Sequence, residues 1–264
     1  MTVIGVGGGL LERPIEKAYV MLGPAERIDV WADFSDDPVG TELEMLGLPF
    51  LTGPATTFSN RLWVANFEEF LELVERTEGG EELPEWNGFP LFKLGVAREE
   101  RVDLPLPERL CTIPRIPASE AVNHDAPKTF RFAVDETENG LVFGINGRAF
   151  EMTATAPDEI VRLGTTEIWE LTSPGFHTAH IHGLQFQILE RALLGDVDEA
   201  TLRDWETVKD GFIDESRHDT VAMFPGTRTR VIMRFEDHTG LYLYHCHNLH
   251  HEDAGMMRNY RVIA

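Results

Sequence analysis

A chain of 264 residues with 42% hydrophobic and 26% charged residues has enough material for one large soluble domain or two smaller ones. Its net charge of −22 excludes nucleic acid and anionic membrane surfaces as partners, because both require basic patches. No apolar run approaches the length of a membrane span, and residues 1–6 lack the charged and long apolar regions of an export signal.

Residues 1–62 read as β-structure, with polar–apolar alternation over 26–34 followed by a turn at 35–40. The run Gly7-Gly8-Gly9 lacks both the spacing and the lysine of a phosphate loop. Phe67, Phe70, Leu71 and Val74 recur at helical spacing, with Asn66 as N-cap and Glu69 three residues later, and predict a helix over 66–76 that covers a sheet edge. Residues 81–128, rich in proline and charge, read as a strap or linker. From Thr129 alternation resumes, with Phe130, Phe132 and Val134 on one face and a hairpin turn at 138–140. Further strands are expected at 159–163, 167–171, 180–190, 220–224, 229–235 and 241–245. One helix is expected at about 198–209, capped by Asp198 and carrying Leu202, Trp205 and Val208 as its apolar stripe. Many short strands with little helix imply an antiparallel β-sandwich or barrel.

Histidine placement is the most informative feature: all ten lie at or after His124. In Tyr244-His245-Cys246-His247, strand geometry sends His245 and His247 to one face and Cys246 to the other. Cys246, His251 and Met256 have the soft donor set of a blue-copper site, which needs one more histidine. The run His177-Thr178-Ala179-His180-Ile181-His182-Gly183 supplies it. His177, Cys246, His251 and Met256 then form one site, while His180, His182, His245 and His247 converge on a second. A disulfide between Cys246 and Cys111 is the competing arrangement; the flanking histidines favour metal, and Cys111 is left as an apolar filler or free thiol. His124, His218, His238 and His250 are scattered and read as surface or loop residues.

The patterns H-x-x-H-x-H-G and H-C-H-x-x-x-H-x-x-x-G-M resemble those of the multicopper oxidases, of the bacterial laccase and bilirubin oxidase type. Residues 163–169 and 218–221 look like third-domain segments of that family, and 8–14 and 22–30 like the middle of its second, copper-free domain. The resemblance implies an all-β chain of cupredoxin-like Greek-key sandwiches with short helical insertions. A partial copper-free domain would span 1–110, a linker 111–128 and a complete copper-binding domain 129–264. By position, His177, Cys246 and His251 are then type 1 copper ligands with Met256 axial, His180 a type 2 ligand, and His182, His245 and His247 type 3 ligands. Glu252 matches an acidic residue that in this family helps move protons; a solvated surface charge is the alternative.

The implied activity is one-electron oxidation of phenols, aromatic amines or bilins at type 1 copper, with reduction of dioxygen to water. The family's trinuclear site takes a second set of four histidines from its first domain, and no residue before His124 is a histidine. The chain is therefore expected to hold the type 1 site whole and the type 2 and type 3 sites half-liganded, and to depend on an N-terminal cupredoxin domain or partner chain. Association of copies is an open alternative, but would offer the same half-set. A blue-copper electron carrier and a metal-empty fragment are the competing readings. The family is usually extracytoplasmic; no location is assigned.

Overall fold

The computed structural model describes residues 1–48, 89–100, 104–138 and 140–264. The helix expected over 66–76, and Asn139 of the turn expected at 138–140, lie outside the described residues. No helix among the described residues is long and apolar enough to cross a membrane.

Strands β1 (Thr2–Val6), β2 (Gly9–Glu16) and β3 (Ile28–Trp31) form an antiparallel sheet in the order β2-β1-β3. Val3, Val6 and Leu11 pack against Ile213, so this sheet shares a small core with the C-terminal half. Strands β4 (Glu42–Gly47) and β5 (Phe89–Gly95) pair as a two-stranded antiparallel ribbon.

Ten further strands build the sandwich expected of a cupredoxin-like domain. One sheet joins β12 (Thr220–Met223), β10 (His177–Ile181), β14 (Gly240–Cys246), β15 (Met257–Ile263) and β8 (Ile160–Arg162) in that order. The other joins β11 (Phe186–Leu193), β13 (Thr227–Arg234), β9 (Thr166–Thr172), β6 (Lys128–Thr137) and β7 (Gly140–Ile145). Neighbours are antiparallel except β8 with β15 and β6 with β9. Side chains of both sheets meet in one core that includes Phe130, Phe132, Trp169, Phe186, Tyr244 and Tyr260. Trp169 lies at its centre, with ring centroids 4.5 Å from Phe130, 5.7 Å from Tyr244 and 5.8 Å from Tyr260. Tilted and edge-on contacts of this kind add to the area that the rings bury.

The proline-rich segment before β6 covers the outer face of the second sheet. Ile116 and Ala121 pack on Ile168 and Ile232. Prolines supply no backbone N–H, so beside the main-chain bond from Val122 N to Thr166 O much of the tethering falls to side chains. Asn123 bonds both main-chain groups of Ile168, and Gln187 bonds Ile116 N and Pro114 O.

Two sequence expectations are corrected. The single strand expected over 180–190 is two strands in different sheets, β10 and β11. Gly183 takes a left-handed φ of +80° between them, and a side chain there would strike the Tyr242 ring at 2.6 Å. The helix α1 (Glu199–Val208) forms as expected, with Asp198 accepting from Thr201 N, and Val208 and Trp205 face a core with Phe212 and Phe224. Leu202 is not part of its apolar stripe: it is 46% exposed, because the buried face of the helix runs through Thr201, Asp204 and Val208.

Candidate metal centre

Strand register creates the site. β10 lies between β12 and β14, with Ala179 opposite Cys246 and His180 opposite His245. Directly opposed residues share a face, so the β10–β14 pair puts a thiol on one side and two imidazoles on the other. His177, the first residue of β10, lies two positions before Ala179 and so shares the Cys246 face. His251 reaches that face from the short helix α2 (Leu249–Asp253) that follows β14.

Three donor atoms converge there. His177 Nδ1 is 3.4 Å from Cys246 Sγ, His251 Nδ1 is 3.5 Å from the same sulfur, and the two nitrogens are 3.0 Å apart. All three residues are buried, and the Phe143 ring lies beside that of His251. Met256 is buried in the core cluster that contains Cys246, and its main chain ties the loop: Cys246 N donates to Met256 O and Met256 N to His251 O. Burial lowers His177 well below the usual imidazole range and brings His251 down to about 4, so both rings are neutral and offer lone pairs. Burial also pushes the Cys246 thiol up to about 12. A bound cation is what would make that sulfur a thiolate. Ligand bonds of about 2.0–2.3 Å around one ion put the donor atoms roughly 3.5 Å apart, close to the spacing found.

On the opposite face His180, His182 and His245 have ring nitrogens close enough to share an ion. His182 Nε2 and His245 Nε2 are 3.0 Å apart. The His247 ring centroid is 5.3 Å from that of His245 and 5.6 Å from that of His180, so all four imidazoles that the sequence singled out gather here. Burial brings His182 down to about 4 and lowers His180, the latter partly offset by Asp219. Glu252 Oε2 lies 3.5 Å from His245 Nδ1 and Glu252 is partly exposed.

The remaining histidines stand apart from both groups. His124 pairs with Asp125, and His238 and His250 are exposed. His218 is not a surface residue: it is buried, with its ring stacked on Phe186 and Nε2 bonded to Glu215 O. Sequence reasoning missed the supports of His180. Its Nδ1 lies 2.9 Å from both Asp219 O and Thr220 Oγ1, and Asp219 is gripped by Arg27 from 192 positions away. No local spacing could signal such a contact.

A family profile described as multicopper oxidase matches residues 119–264, which carry every donor described above. The chain belongs to the multicopper oxidase family. It is similar to a laccase of Bacillus stratosphericus, at 28% identity over 98% of this chain and 46% of the laccase. It is also similar to a bilirubin oxidase of Albifimbria verrucaria, at 28% identity over 97% of this chain and 38% of that protein. Among solved structures, a variant of the McoA multicopper oxidase from Aquifex aeolicus superposes with a TM-score of 0.69 at 28% identity, over 100% of this chain and 50% of the other. The chain thus spans about half the length of the multicopper oxidases it matches. The donor chemistry agrees with the family: a thiol and two neutral imidazoles, with a methionine buried in the same core cluster, suit copper, and the group of imidazoles alone suits it as well.

Proposed function

We propose that the chain carries the electron-accepting copper site of a multicopper oxidase and half of its oxygen-reducing site. His177, Cys246, His251 and Met256 would hold the type 1 copper, His180 a type 2 copper, and His182, His245 and His247 type 3 copper. Copper bound at these positions supplies one-electron chemistry, which oxidises phenols, aromatic amines or bilins and reduces dioxygen to water. The carrying observation is the alternation on β14: Cys246 belongs to one donor group while the residues on either side of it belong to the other. Two neighbouring peptide units therefore join the groups covalently. Burial of His177, Cys246 and His251 keeps water from the sulfur and keeps both imidazoles neutral. Glu252, beside His245 and open to solvent on one side, is placed to pass protons toward the oxygen-reducing side. Four imidazoles are half the set that such a site takes. An N-terminal cupredoxin domain, in a longer protein or a partner chain, supplies the rest.

A second reading, a single-centre electron carrier, is favoured by one observation: the thiol and both imidazoles of the first site converge within this chain, and Met256 lies in the same core cluster as Cys246. One experiment separates the two. Copper-loaded protein is expected to show an intense visible thiolate-to-copper band that Cys246→Ser abolishes; no band in the unaltered chain would refute both readings. Oxygen uptake with a phenolic donor is then followed with and without a polypeptide bearing two H-x-H motifs. Uptake on its addition supports the oxidase reading, and a blue protein that never consumes oxygen supports the carrier.

A further inference from the structure

We propose that Arg27, the residue just before β3 of the N-terminal sheet, is a positioning residue for His180: through Asp219 and Thr220 it reinforces which ring nitrogen faces the histidine cluster. The inference rests on reading His180 as a metal ligand.

The connection can be followed atom by atom. Arg27 Nη1 and Nη2 each donate at 2.8 Å to one oxygen of the Asp219 carboxylate. A two-pronged guanidinium–carboxylate pair fixes orientation as well as charge. The guanidinium is itself held by Ala25 O at 2.6 Å and Gly7 O at 2.8 Å. Ala25 adopts a left-handed φ of +63°, uncommon for a residue with a side chain. A side chain at Gly7 would sit 3.2 Å from Arg27 Nη2 and 3.4 Å from Asp219 Oδ1. The gripped carboxylate receives the Thr220 hydroxyl proton at 2.9 Å. With its proton committed, the Thr220 oxygen can only accept, and the main-chain oxygen of Asp219 can only accept. His180 Nδ1 faces both at 2.9 Å and must therefore carry the ring proton. That leaves Nε2 bare, the state a metal ligand requires. Without Arg27 the carboxylate is free to turn away, the Thr220 hydroxyl can donate to Nδ1, and the opposite tautomer gains population.

The test reads the ring directly. In metal-free, ¹⁵N-labelled protein at mildly alkaline pH, the His180 ring signals, assigned by their loss in His180→Gln, are expected to show a proton on Nδ1. In Arg27→Met the spectrum is expected to move toward a mixture of tautomers, with Arg27→Lys in between. Asp219→Ala, which removes the acceptor of the Thr220 proton and leaves the main-chain oxygen in place, is expected to move it in the same direction. Cobalt(II) titration is expected to show roughly tenfold weaker binding at the histidine cluster in Arg27→Met, with the Cys246 band unchanged. An unchanged His180 tautomer in folded Arg27→Met, or in Asp219→Ala should the first variant not fold, overturns the proposal. A tautomer shift in a protein whose histidine cluster binds no cobalt upholds the positioning role and removes the ligand reading instead.

Discussion

Glu159 and Arg258 form an ion pair buried within the sandwich. Both are almost fully shielded, and the carboxylate accepts from Arg258 Nε at 2.7 Å and Nη2 at 2.8 Å, Tyr244 Oη at 2.9 Å and Ala156 N at 2.5 Å. Burial acts to raise the Glu159 pKa, but these bonds outweigh it and hold the group below its ordinary value. The folded value lies below the unfolded one. The stabilisation is therefore complete above the ordinary carboxylate range and is lost as pH falls through the lowered value. Glu159→Gln keeps the shape but removes the buried carboxylate that pairs with Arg258, and is expected to cost about 3–5 kcal/mol in urea unfolding at neutral pH. The difference from the unaltered protein should narrow on acidification; a gap independent of pH would show that the carboxylate charge is not what holds the site.

Elements meet at places where a side chain has been omitted. Gly8 N donates to Arg217 O at 3.0 Å, and a Cβ on Gly8 would lie 2.4 Å from that same oxygen. The glycine run that might pass for a phosphate loop is thus a docking turn, pressing the β1–β2 hairpin onto the segment that leads into β12. Gly8→Ala must push two main chains apart. It is expected to destabilise by about 1–3 kcal/mol, read as a lowered melting temperature. A melting temperature equal to that of the unaltered chain would mean that the turn yields freely. The histidine strand itself was legible because its alternation is a property of the strand. Its end at Ile181 was not, because the break depends on the Tyr242 ring occupying the space beside Gly183.

The N-terminal segment is clasped to the histidine-bearing sandwich along the edge strand β12. Glu26 accepts from Gly23 N and from Ala222 N, capping a main-chain donor that faces away from β10. Tyr19 Oη donates to Thr207 O, and Lys17 Nζ to Asp210 O and Phe212 O, which extends the clasp beyond α1. An uncapped edge is open to pairing with other chains. Glu26→Ala should leave the Ala222 N–H without a partner, at a cost of about 1–3 kcal/mol. The loss should appear as a lower urea midpoint together with faster exchange of the Ala222 amide. Unchanged exchange would show that another group takes over the cap.

Donor identity and spacing were readable in advance because they are local. Cys246, His251 and Met256 fall within one short stretch, and a repeat of two along a strand divides Cys246 from its flanking histidines whatever surrounds them. The β class was readable for the same reason. The partners that complete the sites lie far along the chain: His177 is 69 positions from Cys246, Arg258 is 99 from Glu159 and Arg27 is 192 from Asp219. Strand pairing brings them together, and pairing depends on which buried faces fit, a property of the assembled sandwich with no local signature. The histidines are therefore named by the chain, while the nitrogen that each one presents is decided by the fold.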